Sequence, residues 1–161
     1  MEKEAVADSS SIIFLAKLDI FALVKNVFVR LILPEEVIKE LFEKDSRENE
    51  IIKKELGGYL TSSQVRKIKD IPLGDGEKAA ISYCLENKIK TLLSDDKKSR
   101  IYAKTLGIDV IGLLGILFFN LKENRIKKKE FLELLNNLVE NGYYISPQLY
   151  AELMKKVEEL T

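Results

Sequence analysis

Four acidic positions in this chain stand where a parallel sheet would gather them. Asp8 closes a short apolar stretch, Glu40 and Glu77 lie on predicted helices, and the pair Asp95-Asp96 follows the stretch 91–94. The chain has no histidine, which excludes a histidine general base, serine-histidine-acid hydrolysis and histidine-bound zinc. Enzymatic chemistry in this chain would therefore run through carboxylates and a hard cation such as Mg²⁺ or Mn²⁺.

Short apolar stretches alternate with helical patterns over most of the chain. The apolar stretches 5–7, 27–33, 90–94 and 108–111 read as buried strands, and 59–68 has only a weak strand pattern. Helices are predicted after Asp8 and over 35–44, 47–56, 77–87 and 96–106. Such alternation predicts an α/β fold with a central parallel sheet covered on both faces, a three-layer α/β/α arrangement. A helical C-terminal tail follows over 113–123, 127–141 and from Pro147, and 1–161 reads as one domain because no linker is visible.

Asp8 and Asp95 would stand beyond the carboxyl ends of two strands, where open parallel sheets bind their ligands. The alternative is helix capping, because each residue precedes a helix and Asp is a favoured N-cap. Ser9 to Ser11 and Ser94 could cap these helices equally well, so the acids look redundant for that task.

The two helical glutamates carry different signals. Glu77 shares the apolar face of its helix with Ala80, Ile81 and Cys84, so a cationic group is expected beside it, since burying an unpaired carboxylate is costly. The alternative is a surface glutamate in the first helical turn, favoured by the helix dipole. Glu40 borders an apolar helix face, where glutamates are usually solvated.

Composition points to an intracellular protein. The 26 basic and 26 acidic residues cancel, so nucleic-acid contacts must come from local patches. Cys84 is the only cysteine, which predicts a buried free thiol and fits a reducing cytoplasm. The N-terminus lacks the apolar core of a signal peptide, and the apolar run 110–119 is about half the ~20 residues of a membrane span. We therefore expect a cytoplasmic protein without membrane contact.

The acidic positions and their neighbours together resemble the PIN-domain nucleases. The motifs are Asp8-Ser9-Ser10-Ser11-Ile12, Val37-Ile38-Lys39-Glu40, Gly76-Glu77-Lys78-Ala79-Ala80-Ile81 and Leu92-Leu93-Ser94-Asp95-Asp96. Their order and spacing are similar to the VapC-like branch of prokaryotic toxin-antitoxin systems, and the stretches 112–117 and 141–146 look like those of a poorly characterised PIN subgroup. The resemblance covers nearly the whole chain, although each motif is short.

The resemblance implies a ribonuclease whose acids hold Mg²⁺ or Mn²⁺. Asp8 would be the first acid and a direct metal ligand, with Glu40, Glu77 and Asp95 or Asp96 completing the set. The hydroxyls of Ser9 and Ser94 would hold a water or a phosphate oxygen. RNA, an antitoxin protein and a second copy of the chain are the implied partners. The apolar content of 46%, the run 113–119 and the tyrosines at 143, 144 and 150 favour the same homodimer.

Two departures from the family pattern bear on the site. The third acid of the family is usually Asp, whereas this chain has Glu77, which is one methylene longer. The fourth motif carries two acids: the eighteen residues from Glu77 to Asp95 favour Asp95, while placing Ser94 on the family's hydroxyl position favours Asp96.

Basic residues and rival functions complete the sequence-based picture. Lys97, Lys98 and Arg100 follow the fourth acid and could bind RNA phosphate, although the sequence alone favours a solvated helix face. The second function is a non-catalytic PIN scaffold that binds RNA or a protein. A receiver-type phosphoacceptor domain also gathers acids at strand ends, but it needs an acidic pair after the first strand, where this chain has serines after Asp8.

Overall fold

The computed structural model describes residues 3–160, and its centre is a parallel sheet with the order β3-β2-β1-β4-β5. The strands are β1 (Glu4–Ala7), β2 (Arg30–Pro34), β3 (Leu60–Ser63), β4 (Thr91–Leu93) and β5 (Asp109–Ile111). All four strand pairs are parallel, and Val6 of β1 lies opposite Ile32 of β2 on one side and Leu92 of β4 on the other. The chain therefore builds outward from β1 in one direction and then returns to build outward in the other.

Helices connect the strands and form the C-terminal region. They are α1 (Ser9–Lys17), α2 (Phe21–Val24), α3 (Glu35–Leu41), α4 (Glu48–Glu55), α5 (Asp75–Asn87), α6 (Lys97–Thr105), α7 (Leu113–Lys122), α8 (Lys128–Glu140) and α9 (Pro147–Glu159). In the described part of the chain, none of them is long and apolar enough to cross a bilayer.

Alternate residues of the strands face two separate cores, which confirms the predicted three-layer α/β/α fold with its helical tail. On one face Ala5, Ala7 and Leu31 pack with α1, α7 and α8 in the larger core. On the other face Val6 and Leu92 pack with buried side chains of α5 and α6. This alternation is the two-residue period of a strand that is buried on both sides. Cys84 lies in the second core as the predicted buried free thiol, and burial raises its pKa to about 12.

The predicted strand 27–33 is wrong at its start. Val27 and Phe28 donate their backbone N–H groups to the Val24 carbonyl, so they continue the turn that follows α2, a helix that the sequence pattern did not predict. Phe28 is nevertheless buried, because its ring fills the larger core from this turn. Apolar character alone cannot distinguish a buried turn from a strand.

The run 113–119 is largely used within the monomer. Leu113, Ile116 and Leu117 are fully buried in α7, and Asn120 ties this helix to the turn after α2. Its amide donates to the carbonyls of Leu23 and Ile116, and its carbonyl accepts from Asn26. These side chains pack within the protein's own core, so the run alone gives little support for the predicted homodimer.

Candidate active site

The acids meet at the point where the sheet reverses its order. Asp8 follows β1 and Ser94 follows β4, and these two strands are neighbours in the sheet. Ligands of open α/β sheets bind at such a reversal, beyond the carboxyl ends of the strands. A cleft of about 300 Å³ opens there, and it is lined by Asp8, Ser9, Ser10, Phe14, Glu40, Glu77, Asp95, Asp96, Gly142, Tyr143 and Tyr144. All five acids singled out from the sequence therefore reach one cleft.

Asp8 is the most deeply placed of these carboxylates, with 4% of its surface exposed. Its Oδ1 accepts the backbone N–H of Ser11 at 2.9 Å, which makes it the N-cap of α1. Burial raises the pKa of this carboxyl, the hydroxyl of Ser94 and the backbone N–H of Ser11 lower it, and the charge of Asp95 raises it further. The expectation that serines would make this cap redundant is wrong, because Asp8 caps the helix and also faces the cleft.

Glu40 is anchored from two sides. The Ser9 hydroxyl donates to Oε2 at 2.7 Å, and the backbone N–H of Gly76 donates to Oε1 at 2.8 Å. A Cβ at Gly76 would overlap with the Glu40 carboxylate. The missing side chain at Gly76 is therefore what lets the glutamate of α3 reach over α5, and Glu40 is not the freely solvated residue that its helix position suggested.

Glu77 lies half-buried at the start of α5 and accepts the Ser99 hydroxyl at 3.2 Å. Burial raises its pKa, and the charges of Asp96 and Asp8 raise it further, while Ser99 lowers it. The cation expected beside Glu77 is not there: within residues 3–160 no lysine or arginine forms an ion pair with it. Lys78, the next residue along the chain, lies 3.8 Å from Asp75 instead. Glu77 thus faces other carboxylates without a countercharge from the protein.

Asp95 is held by donors from two separate parts of the chain. The Tyr143 hydroxyl donates to Oδ1 at 2.6 Å, and the backbone N–H of Leu113 lies 3.3 Å from Oδ1 and 3.2 Å from Oδ2. Burial raises the pKa of Asp95, whereas Tyr143, Leu113 and the charge of Arg100 lower it. Gly112 packs so closely against this carboxylate that a Cβ there would overlap with it.

Asp96 has a different environment from its neighbour. It is exposed at the N-terminus of α6, where its Oδ2 accepts the backbone N–H of Ser99 at 2.9 Å. Its own N–H donates to the Ser94 hydroxyl at 3.2 Å. The doubled acid is thereby divided into Asp95, which is fixed by hydrogen bonds, and Asp96, which caps α6 and faces Glu77 across the cleft.

The donor chemistry of the cleft fits a hydrated Mg²⁺ or Mn²⁺ ion. All the candidate ligands are carboxylate oxygens, and the like charges that raise the pKa values of Asp8 and Glu77 are those that a hard cation would neutralise. Within the described residues no three such side chains are grouped closely enough to enclose an ion in this conformation. Mg²⁺ rarely needs such a cage, because it commonly keeps several waters and takes one or two carboxylates together with substrate phosphate.

The site contains residues that the sequence did not identify as functional. Tyr143, Tyr144 and Phe14 line the cleft beside the acids, and the rings of Phe14 and Tyr143 meet edge to face with centroids 5.6 Å apart. Ser99 bridges α6 to Glu77, and Gly76 and Gly112 make room for two carboxylates. In the sequence, the stretch 141–146 is marked by family resemblance and by two tyrosines that favour self-association, and neither signal predicts contact with Asp95.

The basic residues predicted to bind RNA are placed unequally. Lys97 and Arg100 line a second cavity that adjoins the acidic cleft, whereas Lys98 lines neither cavity. Arg100 donates to the Ser94 carbonyl at 3.2 Å.

Comparison with known proteins agrees with this geometry. The family model DUF3368, described as a PIN domain, matches residues 4–159. The chain therefore belongs to the DUF3368 family of PIN domains. The resemblance inferred from the motifs is confirmed at the level of the PIN domain, and the VapC-like branch stays a prediction.

Solved structures support the fold. One similar structure is that of the PIN domain endonuclease Utp24, which aligns with a TM-score of 0.55 at 12% identity, over 68% of this chain and 84% of that one. No curated protein sequence matches the chain at a significant level. At this identity the structural likeness establishes the shared fold alone.

Proposed function

We propose that this protein is a metal-dependent endoribonuclease that hydrolyses phosphodiester bonds. The observation that carries the proposal is the meeting of Asp8, Glu40, Glu77, Asp95 and Asp96 in one cleft at the reversal of the sheet. Membership of the PIN family and the fold shared with the endonuclease Utp24 support the same activity. Because the protein provides no ion-pair partner for these acids among the described residues, a bound cation is the natural countercharge.

The contacts of each acidic residue indicate its role in this activity. Asp8, Glu77 and Asp96 would hold Mg²⁺ or Mn²⁺, with Asp95 closing the side near Tyr143. When bound, such an ion neutralises developing phosphate charge and lowers the pKa of a coordinated water. Glu40, fixed by Ser9 and Gly76, stands at the rim of the cleft, where it can orient a water by accepting a hydrogen bond. The Ser94 hydroxyl accepts the N–H of Asp96 at 3.2 Å and lowers the pKa of Asp8, so it lies between Asp8 and the start of α6.

The direct test is cleavage of end-labelled single-stranded RNAs by the purified protein in Mn²⁺ or Mg²⁺, with EDTA as the metal-free control. Asp8→Asn keeps the shape and the capping ability of the residue, since Asn caps as well as Asp, but removes a charge that a hard cation requires. We expect the Asp8→Asn variant to cleave RNA orders of magnitude more slowly than the wild type. Cleavage that is unchanged in Asp8→Asn would overturn the proposal, and failure of the wild type to bind Mn²⁺ by calorimetry would favour the non-catalytic scaffold.

The similarity to the VapC-like branch supports a further part of the proposal, that the nuclease is a toxin paired with an antitoxin and acts as a homodimer in the cytoplasm. Exposed apolar side chains of α8 and α9, among them Val139 and Tyr150, offer a surface for a second copy. Growth arrest on expression in a bacterial host, relieved by a small protein encoded beside this gene, tests the toxin role. Light scattering at high concentration tests the dimer, and a strict monomer would refute it.

A further inference from the structure

A second cavity of about 610 Å³ opens directly beside the acidic cleft. The two share Asp95, Tyr143 and Tyr144, so they form one continuous depression. The outer cavity is bounded on one side by α6 and on the other by the residues that follow β5 and α8. Besides the shared residues, its walls include Lys97, Arg100, Ile101 and Lys104 of α6. We call this cavity the basic groove.

The cations of the basic groove form one row. Lys97, Arg100 and Lys104 lie three and four residues apart on α6, which places them on the same face of the helix. The row is about 10 Å long at 1.5 Å per residue. Lys97 and Lys104 are exposed, and no carboxylate of residues 3–160 forms an ion pair with either. Their positive charge is therefore available to an anionic ligand that lies along α6.

Aromatic and apolar surface accompanies this row. Tyr144 is 81% exposed at the junction of the basic groove and the acidic cleft, and Ile101, on α6 between the cations, is 55% exposed. Single-stranded nucleic acids are bound by this combination, in which cations follow the backbone and exposed aromatic rings stack on unpaired bases. An acidic peptide would use the lysines but would leave the exposed ring at the junction without a role.

We propose that the basic groove binds single-stranded RNA and leads it into the acidic cleft. The phosphates lie along Lys97, Arg100 and Lys104, and a base next to the cleft stacks on Tyr144. This inference rests on the proposed function, because it assigns the path by which the substrate of that site arrives. A base can stack on Tyr144 only when it is free of its partner strand, so a duplex should bind this groove more weakly than a single strand.

The test is RNA binding in EDTA, where metal and cleavage play no part. A fluorescently labelled 12-nucleotide single strand is titrated with the full-length protein, and its anisotropy is followed at several salt concentrations. The groove variant is the double substitution Lys97→Glu, Lys104→Glu. Its matched control is Lys122→Glu, Lys128→Glu, which changes the net charge equally at two exposed lysines outside the groove. Because all four lysines are exposed, each variant should fold, which circular dichroism verifies.

We expect the groove variant to bind at least tenfold more weakly than its control. Loss of two phosphate contacts should also reduce the slope of log K against log salt by about 1.4, at about 0.7 per contact for single strands. Tyr144→Ala should bind about fivefold more weakly or worse, from the energy of base stacking. Tyr144→Phe keeps the ring and should bind as the wild type does.

Several results would overturn the groove. These are equal binding by the groove variant and its control, or binding of a 12-base-pair duplex as tight as that of the single strand. Failure of the two proposals is separable. Groove-dependent binding in EDTA without any Mn²⁺-dependent cleavage would support the groove and overturn the nuclease. Mn²⁺-dependent cleavage that is unchanged in the groove variant would support the nuclease and overturn the groove.

Discussion

Substitution of Gly76 by alanine should remove Glu40 from the cleft while leaving the fold in place. A Cβ at this position would lie 2.7 Å from Cδ and 2.8 Å from Oε2 of Glu40, closer than non-bonded atoms approach. The obstacle is the end of a flexible side chain, so the glutamate can turn toward solvent and the backbone need not move. Glu40 would then lose its hydrogen bonds with Gly76 and Ser9.

The cost to stability should be small. Two hydrogen bonds at a net ~0.5–1.5 kcal/mol each are lost, and water can replace them because Glu40 is only half-buried. Replacing a helical glycine by alanine returns up to ~1 kcal/mol. We expect the free energy of unfolding to fall by at most about 2 kcal/mol, which is a drop of at most about 8 °C in Tm for a domain of this size.

The effect on activity should be larger than the effect on stability. Loss of a group that orients the metal ligands or water typically reduces activity by about 10- to 100-fold. The assay is Mn²⁺-dependent RNA cleavage together with thermal unfolding of the same preparations. Gly58→Ala is the matched control, because its Cβ would meet only the Glu55 carbonyl at 3.7 Å, in ordinary contact. Full activity in Gly76→Ala, or equal losses in both variants, would refute the role given to Glu40.

Three further predictions follow from the contacts. Tyr143→Phe removes the hydroxyl that holds Asp95 but keeps the ring against Phe14. RNA cleavage should fall about tenfold or more while Tm stays within a few degrees of the wild type. Unchanged Mn²⁺ affinity and cleavage rate would contradict this role of the hydroxyl. Asp8 has a raised pKa in the fold, so the stability linked to its proton is present below pH 3.8 and is lost as pH rises through the raised value. Without metal, the Tm of Asp8→Asn should therefore exceed that of the wild type by more at pH 7 than at pH 4. A Tm difference that does not depend on pH would count against burial of this charge. Asn120→Ala breaks a buried hydrogen-bond network far from the cleft. It should lower the free energy of unfolding, measured in urea, by about 2–4 kcal/mol without reducing Mn²⁺ affinity. A selective loss of metal binding would contradict this prediction.

The positions of the acids could be predicted because local rules determine them. Asp8 and Asp95 each follow an apolar stretch too short for anything but a strand, and parallel strands end at the same edge of the sheet. Glu77 could be placed by its spacing from buried residues of α5. These signals span a few residues each, so they can be read from the sequence.

The details of the site could not be predicted, since they depend on residues far apart in the chain. Tyr143 reaches Asp95 across 48 positions, and Gly76 makes room for Glu40 across 36. The helix caps were predicted only in part for a related reason. Capping was considered for Asp8 and Asp95, whereas the residues that cap α1 and α6 are Asp8 and Asp96. Serine and aspartate are nearly equal as caps, so only the backbone geometry decides between neighbours. Similarly, the turn at Val27 and Phe28 is fixed by packing in the larger core, whereas the apolar character of these residues alone predicted a strand.

The central claim is that these carboxylates form one divalent-cation site, and the most direct measurement is anomalous X-ray diffraction from crystals soaked in Mn²⁺. The account predicts anomalous density inside the cleft, within coordination distance of Asp8 and of Glu77 or Asp96, and its loss in Asp8→Asn crystals soaked in the same way. Density confined to acids outside the cleft, or density in the cleft that persists in Asp8→Asn, would contradict the claim.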